Sequence, residues 1–299
     1  MPNKEEQLQE WKKAGKIAAK VREFAKGLVK KDASLLEVVE QIEEKIYSLG
    51  ARPAFPVNIG LNEKAAHFTP FHNDKTMLAE DLVKIDLGVA IDGLLTDTAF
   101  TVDLTKQQQH KKMIKVTEKA LAEAIKLATP HEEVRKIGRR VHETITQAGF
   151  SPVRNLSGHE IWPYKIHAGL SIPNYDNNNS AQLQENMIIA IEPFATTGEG
   201  LVKEGKESGD YGLIEKKPVR ESFARELLHF IDKEYSTMPF ASRWIFRGFG
   251  LRGLQALKIL EQQGIVKNYK ELVEVSSKPV THFEHTILVK EKPEILTEE

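Results

Sequence analysis

A pair of helices followed by short strands occurs twice along this chain, and that repetition constrains its fold more than any other feature. In the first occurrence Ile17, Val21, Phe24 and Leu28 recur at helical spacing between about Glu5 and Leu28, with lysines opposite. A second helix begins at the capping box Ser34-Leu35-Leu36-Glu37, which can satisfy orphan backbone N–H groups, and stops before Gly50. A β-rich stretch, LVKIDLGVAIDGLLTDTAFTVDL from Leu82 to Leu104, follows. The order then returns. One helix is expected from about Gln107 to Leu127; the next takes Thr129 as N-cap and Pro130 as its first helical residue and ends at Gly149. Strands follow around Ile166, from Met187 to Ile191 and from Phe283 to Val289. Two such halves predict a single α+β core. One segment breaks the pattern: LLHFIDKEYSTMPFASRWIF and LRGLQALKILEQQGIV read as helices between two strands. Residues 205–275 are therefore expected to form an inserted helical subdomain within one domain spanning 1–299.

The 299 residues can bury a large core unaided. A formal net charge of −1 argues against bulk attraction to nucleic acid. The absence of cysteine excludes disulfides, thiolate metal sites, iron–sulfur clusters and a cysteine nucleophile. No run of about 18 apolar residues could span a bilayer, and MPNKEEQLQEWKKAGK lacks the apolar core of a secretory signal. The expectation is a cytoplasmic protein that works away from the membrane. Lys12, Lys13, Lys16, Lys20, Arg22, Lys26, Lys30 and Lys31 load the first helix with positive charge. Such a run reads first as a solvated helix face; its functional reading is docking on ribosomal RNA.

The β-rich stretch carries the first candidate chemistry. Asp92-Gly93 is a type I′ turn signal between β-branched strands. A two-residue turn pairs Ile91 with Leu94, Gly88 with Asp97 and Asp86 with Ala99. Asp86 and Asp97 then lie on one sheet face as diagonal neighbours, ~7–8 Å apart at the backbone. Two readings of that face stand open: carboxylates straddling divalent cations, or a solvated face shared with Lys84 while Ile85, Leu87 and Val89 pack the other.

The second half supplies complementary groups. His159 sits in Gly158-His159-Glu160, a Gly- and Pro-rich context; Glu192 follows the apolar MIIAI and precedes Pro193, at a strand end beside an expected chain reversal. In THFEHTILV, alternation puts His282, Glu284 and Thr286 on one face and Phe283, His285 and Ile287 on the other. A glutamate inside such a strand needs a partner if buried. Two Asp, two Glu and one His on or beside apolar strands favour a dinuclear, oxygen-rich metal site. His67 in KAAHFTP and His167 in YKIHAGL have no helical context, while His110, His131, His142 and His229 read as helix-surface residues without a role.

Together, AFPVNIGLNEKAAHFTP, KIDLGVAIDGLLTDTAF, GHEIWPYKIHAGLSIP, IIAIEPFATTGEG and THFEHTILV resemble the methionine aminopeptidases. The pita-bread fold of that family is shared with proline-specific aminopeptidases, prolidase and creatine amidinohydrolase. The segments occur in the family's order from Phe55 to Val289. The resemblance implies that Asp86 chelates one metal, Asp97 and Glu284 bridge both, and His159 and Glu192 bind the second. Glu192 would also relay the proton. His67 and His167 match substrate-contacting histidines, and Phe55 and Ile166 match positions lining the methionine pocket. It further implies nascent polypeptide N-termini as substrates. One His among four carboxylates favours divalent ions, Co, Mn, Fe or Zn, two per chain, and the chain is expected to be a monomer. The helical insertion matches type 2 enzymes, and the short N-terminus matches their archaeal form. His282 departs from the glutamine this family would place there. A proline-directed peptidase of the same fold is the rival reading; a non-catalytic homologue that binds RNA or protein would have lost ligands that this chain retains.

Overall fold

The computed structural model describes residues 4–298. Among the described residues six α-helices, α1 (Lys4–Leu28), α2 (Leu35–Ser48), α3 (Lys111–Ile125), α4 (Val134–Gln147), α5 (Ser222–Tyr235) and α6 (Ser242–Gln262), alternate with short antiparallel strands. In the first half the strands Asn58–Leu61, Leu82–Leu87 and Thr98–Asp103 form one sheet. In the second, Lys165–Pro173, Ser157–Trp162, Ile188–Ile191 and His285–Leu288 lie side by side in that order, with Glu294–Ile295 at the edge. Helices α1 and α2 pack on the first half, and α3 and α4 on the second.

A shared core explains the arrangement. Val38, Val39, Ile42 and Ile46 of α2 are essentially water-free and share one core with Ile85 and Leu87, and α4 places Ile137, Val141 and Ile145 in the same core as Ile189 and Ile287. Each such side chain contributes about 1.5–3 kcal/mol when fully buried. Ser34 caps α2 as its sequence predicts, accepting from the Glu37 N–H at 3.4 Å.

Several expectations are displaced. Helix α1 buries Ala14, Ala18, Val21 and Ala25, small residues that let it lie close to the sheet, whereas Phe24 is 38% exposed beneath Lys45. Arg22 is not on the solvated lysine face: it is buried, donating to His285 at 2.8 Å and to the Ala99 carbonyl at 3.3 Å. Helix α3 begins at Lys111 because Asp103 accepts from the backbone of Thr105 and His110, holding that stretch as a compact loop. Helix α4 begins at Val134, with Glu133 as N-cap, and not at Pro130. His131 takes a left-handed conformation (φ 67), and the N–H groups of His131 and Val134 go to the carbonyls of Leu183 and Ala181. His131 thus lies in a turn and not on a helix surface.

The segment expected as two helices is partitioned differently. Ser236 (φ 55) ends α5, Phe240–Ala241 forms a strand against Asp210–Leu213, and Gly250 (φ 60) divides α6. Val266–Tyr269 completes that small sheet. Tyr211, Leu227, Ile231, Phe240, Ile245, Leu257 and Leu260 make a hydrophobic cluster of their own. A buried ion pair ties this segment to the main core. Arg243 donates to the Glu43 carboxylate and, at 2.6 Å, to Thr69 Oγ1, while Trp244 Nε1 reaches Glu43 at 2.8 Å. Among the described residues no helix is long and apolar enough to cross a membrane.

Candidate metal centre

The hairpin folds in the register its turn dictates. Asp92 (φ 47) and Gly93 (φ 81) both adopt the positive φ of a type I′ turn. Ile91 then faces Leu94, Leu87 faces Thr98 and Asp86 faces Ala99. Gly88 is required beside it, because the Phe55 ring and the Thr96 carbonyl occupy the space a Cβ would take. Asp86 and Asp97 share a face, and that face is not solvated. Lys84 is 1% exposed, its Nζ donating to the carbonyls of Asn62 at 2.7 Å and Leu82 at 3.3 Å. Burial pushes its ammonium down to about 7. Asp97 is 5% exposed.

In the second half His159 projects from the Ser157–Trp162 strand. Glu192 follows Ile188–Ile191, but the chain does not reverse there; it continues as the strand Phe194–Thr196. Nor is the run from Phe283 to Val289 one strand. Val280–His282 pairs with Phe194–Thr196, and His285–Leu288 pairs with Ile188–Ile191. Both chains change sheets together, at Glu192-Pro193 and Phe283-Glu284. Pro193 has no N–H to carry the ladder through, so the break falls where two glutamates turn inward.

Threonines lace these elements together. Asp97 N–H donates to Thr286 Oγ1 at 2.7 Å, and that hydroxyl donates to the Asp97 carbonyl at 2.8 Å. Thr98 Oγ1 donates to the Glu284 carbonyl at 2.8 Å. Thr101 Oγ1 accepts from His282 N–H at 2.9 Å and donates to its carbonyl at 2.8 Å. Asn174 Nδ2 holds the Glu192 carbonyl at 3.1 Å.

Asp86, Asp97, His159, Glu192 and Glu284 converge on one cavity of about 200 Å³ that His67 and His167 also line. His159 Nε2 lies 3.5 Å from both Asp97 Oδ2 and Glu192 Oε1. Ligand atoms of Asp97, His159 and Glu284 fall within 4.8 Å of one another, as do those of Asp86, His282 and Glu284. Asp86 Oδ1, Asp97 Oδ1 and Glu284 Oε1 are buried without a hydrogen-bond partner. Burial raises Asp97 to about 7. Burial and then the neighbouring carboxylates hold Asp86, Glu192 and Glu284 well above the usual range. Burial lowers His159 to about 4, leaving a neutral imidazole with a free lone pair. Orphaned carboxylate oxygens beside a neutral imidazole fit divalent cations, whose charge would offset the repulsion among the acids.

A second cavity, about 80 Å³, adjoins the first and is walled by Phe55, Ile166, Pro239 and Tyr269. The His159 and His167 rings meet edge to face with centroids 4.5 Å apart, and His67 lies 6.3 Å from His167. His67 has a left-handed backbone (φ 61), and burial beside His167 pushes it down to about 4. His167 keeps an exposed edge, yet burial of its ring and then the neighbouring His159 push it down to about 3, which favours the neutral ring.

Two residues facing the site carry no local signal, and a third was legible only in part. Asn58 becomes a neighbour of Asp86 only once the two strands pair. Asp210 lines the smaller cavity, 5% exposed, with Oδ1 unpartnered and its carboxyl raised by burial. Strand alternation already put His282 on the face of Glu284, but its approach to Glu192 and Asp86 was not visible in the sequence. A larger cavity, about 510 Å³, opens on the helical side around Arg22 and His285 and shares no residue with the five converging groups.

Residues 9–291 match metallopeptidase family M24. The chain is 46% identical over 289 residues to a methionine aminopeptidase of Pyrococcus abyssi, covering 96% of this chain and 97% of the relative. Among solved structures it is similar to a thermophilic Arx1, with TM-score 0.86 and 14% identity over 100% of this chain and 92% of that one. A methionine aminopeptidase from Thermotoga maritima gives TM-score 0.72 and 24% identity, covering 99% and 98%. At these identities the two structures establish a common α+β fold, the pita-bread architecture.

Proposed function

The chain belongs to the methionine aminopeptidases of metallopeptidase family M24, and on that premise we propose how its own residues carry out metal-dependent removal of N-terminal methionine. The observation that carries the reading is the convergence of four buried carboxylates and a neutral imidazole beside a small, mostly apolar pocket. The preferred substrates are nascent chains whose second residue is small and uncharged. Asp86 would hold one ion, His159 and Glu192 the other, with Asp97 and Glu284 between them; the donor set suits two divalent ions of the Co, Mn, Fe or Zn kind. When bound, such ions supply hydroxide at neutral pH and polarise the scissile carbonyl.

The rest belongs to the protein. Phe55 and Ile166, with Pro239 and Tyr269 from the inserted segment, wall the unbranched methionine side chain. Residues 205–275 thereby act as one side of the substrate cleft. Glu192 accepts the proton of the attacking water and passes it to the leaving amine as the C–N bond breaks. His167, neutral, donates an N–H toward the developing oxyanion, and His67 holds the scissile amide. The acid cluster receives the free α-amino group, so a single residue is removed. Action on newly made chains would put the enzyme to work in the cytoplasm, as a monomer. Docking at the ribosome would use exposed Lys13, Lys16 and Lys20, without Arg22; reversing these lysines and measuring co-sedimentation at low salt tests it.

The deciding experiment follows methionine release from Met-Ala-Ser and from an Xaa-Pro-Xaa control, using chelator-stripped protein with Co, Mn, Fe or Zn added back. Metal-dependent release from the first peptide only, abolished in Asp97→Ala, is the expected result. Cleavage of the proline peptide alone would overturn the substrate assignment. No cleavage by folded, metal-loaded protein would overturn catalysis.

A further inference from the structure

We infer that His282 is a sixth protein ligand of this centre, binding through Nε2 the ion that Asp86 and Glu284 hold, so that each ion carries one imidazole. The inference rests on the two-ion reading above and extends it to a residue with no assigned role.

Geometry points to it first. His282 Nε2 lies 3.4 Å from Glu284 Oε2 and 3.9 Å from Glu192 Oε2, and ligand atoms of Asp86, His282 and Glu284 all lie within 4.8 Å of one another. Two donors ~2.1 Å from one tetrahedral ion stand ~3.4 Å apart. His159 keeps nearly the same spacing, 3.5 Å, from its two carboxylates. Each imidazole thus has its nearest carboxylate oxygen at 3.4–3.5 Å, and Glu284 is common to both triads.

Chemistry points the same way. His282 is 1% exposed, and neither of its ring nitrogens has a hydrogen-bond partner. A buried imidazole left with both nitrogens idle is costly unless one of them binds something. The ring is also preset. It stacks on Phe194 with centroids 3.9 Å apart and planes 14° from parallel, and Thr101 grips its backbone N–H and carbonyl. A ring stacked on one face and anchored through its backbone loses little further freedom on binding an ion. A glutamine here would offer a weaker amide donor. Histidine should therefore tighten this ion's binding and favour Zn, Co or Fe over the more oxygen-seeking Mn.

The test uses the full chain, stripped and reloaded with two equivalents of zinc, and counts imidazoles per zinc by X-ray absorption. Wild-type protein should give about one imidazole per zinc, and His282→Gln about one for every two ions. Calorimetry should show one of the two ions losing at least about tenfold in affinity in that variant, since even outer partners of metal ligands are worth 10–100-fold. The wild-type count requires no variant to fold. One imidazole per two zinc ions in wild-type protein would overturn the inference while leaving the two-ion centre standing. Failure of wild-type protein to take up zinc at all would overturn both.

Discussion

Replacing Lys84 by methionine tests whether the face that carries the aspartates is dry. Lys84 is 1% exposed, and burial lowers its ammonium from 10.5 to about 7. The folded state then binds fewer protons than the unfolded chain between those two values, so this residue makes stability rise with pH across that window. Below about pH 7 both states are protonated and the folded state carries the whole penalty. At about 1.4 kcal/mol per unit, that penalty is roughly 5 kcal/mol.

The substitution also removes two hydrogen bonds, to the carbonyls of Asn62 and Leu82. Each of those carbonyls keeps a backbone donor, from Val280 and Asn62 respectively. The loss is therefore about 1 kcal/mol per bond. Lys84→Met should be more stable than wild type by about 3 kcal/mol at pH 6, and that gain should fall by about 4 kcal/mol by pH 10. Urea unfolding of both proteins at matched pH and metal content gives the difference directly, and other titrating groups cancel. A difference that stays flat from pH 6 to 10, or destabilisation at pH 6, would refute the reasoning. It would mean the ammonium is hydrated in place and the aspartate face is wet.

Arg243→Met should cost about 3–5 kcal/mol, because it strands the buried Glu43 carboxylate, and adding Glu43→Gln should recover most of that in denaturant unfolding. Thr286→Val removes both clamps on the Asp97 backbone; zinc affinity measured by calorimetry should fall about 10–100-fold, and a loss under threefold would show that Asp97 is positioned by other contacts. The stabilisation given by added zinc or cobalt should grow from about pH 5.5 to 8 in thermal melts. Asp97, near 7, and its raised neighbours bind more protons in the folded than in the unfolded stripped protein, so that form loses stability as pH rises, while bound cations remove the loss. An increment independent of pH would show that the acids are not coupled to the ions.

Local chemistry made part of this protein legible. Asp92-Gly93 can only turn in one way, and a period of two along the strands then puts Asp86 and Asp97 on one face without help from the rest of the chain. Ser34 and the apolar positions of α2 likewise marked a helix whose ends are set by its own residues. The matching segments around His67, His159, His167, Glu192 and Glu284 carried the family and its α+β fold in the same way.

Other features exist only because distant segments meet. Thr286 grips Asp97 across 189 positions, and Thr101 grips His282 across 181. The start of α4 is set by carbonyls of Ala181 and Leu183, and Arg22 leaves the lysine face for His285, 263 residues away. Lys84 looked like evidence for solvent because lysine is rarely buried, and nothing beside it in the chain reports the desolvation it meets. Asp210 points inward for the same reason. Burial, pairing partners and the break at Pro193 are properties of packed strands, whereas turn type and periodicity belong to a few consecutive residues.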